Sequence, residues 1–159
     1  MPEMPEILES FEHAKEELKR ADHLIFVSLK YTRTVDVLKS IIERLINAIN
    51  LSFNTLLLHS KKQKKIKEIP TAPIAIAEAI KVYYAMKPYT DYVEFYYLLR
   101  RLSKAQFGRA SEYRRNVTMT AQFEDHSIEI TIDIINDYFE RTKELVKHIE
   151  EAVGLKQEK

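Results

Sequence analysis

The residues most able to do chemistry in this chain are arginines. Arg100, Arg101, Lys104, Arg109, Arg114 and Arg115 fall within sixteen positions and are opposed there only by Glu112. Asn116 follows directly and adds an amide. Guanidinium forks match phosphate and carboxylate oxygens two at a time, so such a set points to anion binding, with nucleic acid the natural polyanion. A second reading stays open: Arg114 or Arg115 ties a helix end to a carboxylate, with Glu12, Glu16 or Asp36 as partner. A second basic run, Lys61, Lys62, Lys64, Lys65 and Lys67, reads as a solvated loop. The acidic start, Glu3 to Glu17, offsets both runs and leaves a net charge of +1.

Other chemistries lack their residues. A carboxylate-bridged di-metal bundle needs Glu-x-x-His pairs. None of His13, His23, His59, His126 or His148 has Glu three positions earlier. No cysteine is present, which removes disulfides, thiolate metal sites and cysteine nucleophiles. The two glycines, Gly108 and Gly154, are too far apart for a phosphate loop. Ser60, Ser103 and Ser111 lack the glycine-bearing turn of a serine hydrolase. Neither a metal nor a cofactor is expected. Arg141 and His148, seven positions apart, would share one helix face and form a candidate catalytic pair. Tyr83, Tyr84, Tyr89, Tyr92, Tyr96 and Tyr97 crowd one stretch. Their rings could stack on unpaired bases, but tyrosines at helical spacing more often pack into a core.

The elements that would position these groups follow from periodicity. Ile7, Phe11, Ala14, Leu18, Ala21 and Ile25 recur in steps of three and four, which predicts a helix from about residue 5 to about 29. The Tyr31-Thr32-Arg33-Thr34 stretch interrupts it, and a threonine there caps a second helix that runs to about His59. Ile42, Leu45 and Ile49 are expected at its most buried positions, in the core or at a dimer seam. Pro73 opens a short third helix and Pro88 stops it. A fourth helix runs from about Asp91 to about Ala105, with an extension past Gly108 to about Arg115 left open. Alternation over 117–132 around the polar Glu124-Asp125-His126-Ser127 predicts a β-hairpin. Asp133 then caps a last helix, about 134–152, and Gly154 closes it.

The fold class is therefore all-α: an antiparallel bundle of about five helices with one small β-hairpin before the last helix. Residues 1–155 form one domain and 156–159 a frayed tail. The start lacks a secretion signal, and no uninterrupted apolar run reaches the ~18 residues of a membrane span. A cytoplasmic, membrane-free protein is expected. The 31% of charged residues, rich in Lys, Glu and Arg, also suits a thermophile.

In outline, about residues 33–150 resemble the HEPN superfamily of small helical bundles. Arg115-Asn116 looks like the Arg-polar start of that family's Arg-x4-6-His motif. The resemblance implies metal-independent RNA cleavage across a homodimer in active members, in toxin–antitoxin or other RNA-directed systems. Here the positions that should hold His are Thr120, Ala121 and Gln122, none of which is an acid or base at neutral pH. The expectation is thus a non-catalytic HEPN-like binding module for RNA or a partner protein. A metal-independent ribonuclease using Arg141 and His148 or a site assembled across a dimer, and an adaptor without a nucleic-acid role, are the alternatives.

Overall fold

A computed structural model describes residues 3–155; the tail expected to fray, 156–159, lies outside the described residues. The chain is mostly helical, with a three-stranded antiparallel sheet near its C-terminal end. Helix α1 spans Met4–His23, and Pro5 sits in its first turn, where a missing N–H is not needed. It continues as a π-helical turn, Leu24–Ser28, and a last α-turn, α2, Leu29–Tyr31. Thr34 ends that run and starts the next: its hydroxyl accepts from the Val37 N–H at 3.3 Å and caps α3, Val35–Lys62. Helices α4 (Pro73–Tyr83) and α5 (Tyr89–Lys104) follow. Strands β1 (Gln106–Ala110), β2 (Thr118–Gln122) and β3 (Ser127–Ile130) precede α6 (Ile132–Val153).

The long α3 is the hub, packing on α1, α4, α5, α6 and β2. Ile42, Leu45 and Ile49 are fully buried within one chain, so this stripe is core and not a seam awaiting a second copy. By length and composition α3 is the one helix among the described residues apolar enough to cross a membrane. Its apolar side chains face the surrounding helices. The sheet adds a lid to the bundle. Val117, Met119, Ala121 and Ile130 turn inward, while Thr118, Thr120 and Glu129 stay toward water.

Three sequence expectations need correction. The chain does not continue as helix past Gly108: Ala105 is extended, and β1 pairs with β2 through Gln106↔Gln122 to Ala110↔Thr118. The expected hairpin is present as β2–β3, but it is two-thirds of a three-stranded unit. The last helix is capped by Thr131, whose hydroxyl accepts from the Ile134 N–H at 3.3 Å, and Asp133 lies inside its first turn. Gly154 closes that helix with φ of +76°, where a side chain would be strained. The lysine run begins inside the last turn of α3, and buried Ile66 pins the loop that carries the rest.

Candidate nucleic-acid interface

Helix α5 runs antiparallel to α3, and the chain keeps descending along α3 after α5 ends. Four contacts mark the descent. Tyr96 meets Phe53 edge to face with ring centres 5.6 Å apart. The ammonium of Lys39 lies 5.2 Å from the centre of the Phe107 ring. Arg109 reaches Asp36 at 2.9 Å. The Tyr113 N–H donates to the Arg33 carbonyl at 2.6 Å. The predicted basic residues are therefore strung along the N-terminal half of α3. Asp36 and Asn47 alone are about 16 Å apart along the helix axis.

Arg100, Arg101 and Lys104 form the upper part of this band. Arg100 and Lys104 are one turn apart and make a ridge between two grooves. The first groove, about 450 Å³, lies against α3 and is bordered there by Ser40, Glu43, Arg44 and Asn47. The second, about 580 Å³, opens toward α4 and the β2–β3 turn; Ile74, Tyr97 and Phe123 give it apolar walls, and Glu94 a carboxylate. Among the described residues none of the three cations is in an ion pair. Arg100 only leans on Tyr96, 5.8 Å from its ring centre, with its guanidinium 3.5 Å from the hydroxyl. Arg44, by contrast, is spent on Glu17 at 3.1 Å.

The lower part of the band divides by role. Arg109 is structural: its fork holds Asp36 at 2.9 Å and Glu112 at 3.3 Å. Glu112 in turn accepts from the Val35 N–H at 3.0 Å, so the start of α3 is tied to the β1–β2 loop. The hydrogen bond from Arg109 holds the Asp36 carboxyl below its ordinary range. The helix-end tie that the sequence left to Arg114 or Arg115 thus falls to Arg109 and Glu112. Arg114, Arg115 and Asn116 lie exposed in the loop, and neither arginine makes an ion pair among the described residues.

Arg141 and His148 do share a face of α6, the one turned to α5. The Arg141 guanidinium stacks 4.0 Å from the centre of the Phe95 ring. The His148 ring sits edge-on to Tyr89 and Tyr92, with Nε2 3.3 Å from the Tyr89 hydroxyl. This seam explains part of the tyrosine crowding, while Tyr83 is exposed. Tyr89 and Tyr96 are buried, Tyr84 and Tyr92 half-buried, and Tyr84 bonds Ser60 through its hydroxyl. Burial pushes the phenols of Tyr89, Tyr92 and Tyr96 up, so they remain neutral packing groups. Tyr97 bonds Glu78 at 2.5 Å, and burial with that bond raises its phenol as well. Among the described residues no three His, Asp or Glu side chains gather as metal ligands.

Sequence reasoning missed the α3 side of the first groove, Ser40 and Asn47, because polar residues on a long amphipathic helix read as solvated face. It also passed over Phe26 and Tyr31, both exposed. Compared with protein-family models, with curated proteins and with solved structures, the chain shows no match.

Proposed function

We propose that this chain is a non-catalytic binding module that holds the phosphate backbone of RNA across the Arg100–Lys104 ridge. One observation carries the reading: Arg100, Arg101 and Lys104 stand together beside two open grooves with no carboxylate within ion-pair distance among the described residues. Cations left unpaired at a concave surface are free to exchange counterions for phosphates. A net charge of +1 keeps non-specific attraction weak, so binding is modest and local. In keeping with its HEPN resemblance, the module would act as a homodimer or beside a partner protein in an RNA-directed or toxin–antitoxin-type system.

Fluorescence anisotropy with single-stranded RNA across a salt series tests this. Replacing Arg100, Arg101 and Lys104 by Ala weakens binding and flattens the log–log salt slope by about two to three. Absence of binding at low salt removes the proposal and leaves the protein adaptor.

The ribonuclease alternative rests on Arg141 and His148 sharing a face. Their side chains are engaged with Phe95 and Tyr89, which suits packing better than proton transfer. Labelled RNA incubated with the protein in EDTA is expected to stay intact. Cleavage lost in His148→Ala would establish the alternative.

A further inference from the structure

At the foot of the band, aromatic rings stand in water beside unpaired cations. Tyr31 is 77% exposed, Tyr113 73% and Phe26 63%. Single exposed apolar residues are ordinary, but these three share one end of the molecule. Phe26 lies in the π-helical turn that extends α1 and Tyr31 five residues on, at the end of the α-turn that follows it; π-turns are often found at functional sites. Tyr113 joins them through its N–H on the Arg33 carbonyl, two residues beyond Tyr31.

The backbone of Tyr113 has φ of +67°, left-handed and unfavourable for a bulky side chain. Packing of the ring does not explain it, since the ring is in solvent. The loop is held there by Arg33, Glu112 and Arg109, and Ser111 two positions earlier is left-handed too, at φ of +56°, so the fixed turn keeps the ring in water.

The charges at this end are mostly positive. Lys30 and Arg33 flank Tyr31, and Arg114 and Arg115 follow Tyr113. The sequence between Asp22 and Asp36 holds no carboxylate, and Asp36 and Glu112 are both engaged by Arg109. Phosphates would find partners here, and unstacked bases would find ring faces.

We infer that this end is a stacking platform for unpaired bases, so that the strand bound by the ridge is single-stranded and runs along the N-terminal half of α3. This rests on the ridge reading for the backbone contact and adds the choice of single strand over duplex. Paired bases are already stacked on each other and offer no free face to Tyr31 or Tyr113.

The chain contains no Trp, so Tyr113→Trp places a single indole reporter in the platform. Three probes of matched charge per strand are compared by anisotropy and by indole emission. These are an oligouridylate of about twelve nucleotides, an abasic oligomer of the same length, and an RNA duplex of that length. The oligouridylate should quench the indole; the abasic oligomer should bind without quenching, and the duplex should not quench. In the protein without the reporter, Tyr31→Ala combined with Tyr113→Gly should weaken oligouridylate binding by about thirtyfold or more. Glycine leaves the φ of that position free, so the loop is kept. Abasic binding should be unchanged by that pair. Equal loss for both probes, or quenching by the abasic oligomer, overturns the platform. Loss of oligouridylate binding on removing the ridge cations, with no effect of the aromatic pair, overturns the platform but leaves the ridge. Quenching that survives intact without the ridge cations overturns the ridge and leaves the platform. No binding of any probe overturns both.

Discussion

Two groups of aromatic side chains invite opposite expectations from the sequence and have opposite environments in the fold. The tyrosines between 83 and 97 are dense and look like a surface for stacking. Most of them pack between α5, α6 and α3, with Tyr96 fully buried. Phe26, Tyr31 and Tyr113 are scattered in sequence and carry no periodic signal, yet they are exposed at one end of the molecule. Density in sequence reports a shared helix face, and a shared face is what a core needs. Exposure at a platform comes instead from irregular backbone: a π-turn for Phe26, a helix terminus for Tyr31 and a left-handed loop residue for Tyr113.

The sharpest way to break this contrast is to truncate one ring of each kind. Tyr96→Ala removes a fully buried ring from its contact with Phe53 and should cost about 3–5 kcal/mol, read as the denaturation midpoint. Tyr31→Ala should change stability by less than about 0.5 kcal/mol. Similar losses at the two sites would mean that Tyr31 is a packing residue and would remove the platform. Leu45→Ala calibrates the scale. This fully buried leucine of α3 should cost about 2–5 kcal/mol. An unchanged melting temperature there would mean that the helix phase is wrong.

Much of the fold could be read from residue spacing, and the reasons are local. Ile42, Leu45 and Ile49 recur at helical steps, Thr34 caps, and Gly154 stops a helix, so α3 and α6 are readable to within a few residues. Strand β1 was hidden because Gln106-Phe107-Gly108-Arg109-Ala110 places one half-buried side chain among exposed ones and lacks a two-residue alternation. Its identity depends on the register with β2, a contact distant in sequence. The basic ridge was visible as composition. That Arg109 differs from Arg100 was not, because the difference is made by Asp36, more than seventy residues away.

That difference is open to a salt-and-charge test of smaller size. Arg109→Ala should leave the affinity for the abasic oligomer, which reads the ridge alone, close to that of the unaltered chain at low salt, whereas Arg100→Ala lowers it severalfold. The cost of Arg109→Ala should appear instead as faster amide exchange at Val35 and Tyr113, whose N–H groups sit at the tie between loop and helix. An equal loss of affinity in both variants would return Arg109 to the binding set.

The smallest effect expected is a pH dependence far from the band, at the end of α3 where the tyrosine seam begins. Burial, with Lys65 and Lys62 nearby, holds the His59 imidazole below its ordinary value of 6.5. Its Nδ1 is buried and finds no hydrogen-bond partner among the described residues. Neighbouring Ser60 is bonded to Tyr84, so the seam offers this ring no hydroxyl from that side chain. A folded-state value below the unfolded one means that the unfolded chain takes up the proton first. The stability tied to neutral His59 is therefore fully present above pH 6.5 and drains away as pH falls through the lower folded value. The melting temperature of the chain should fall slightly more between pH 7 and pH 5 than that of His59→Gln, which cannot titrate there. The Tyr113→Gly variant serves as the matched control, because the platform contains no histidine and its pH profile should parallel that of the unaltered chain. A His59→Gln profile indistinguishable from both would show that this end of the seam is open enough to hydrate the imidazolium, and would move the boundary between buried and exposed aromatics toward Tyr84.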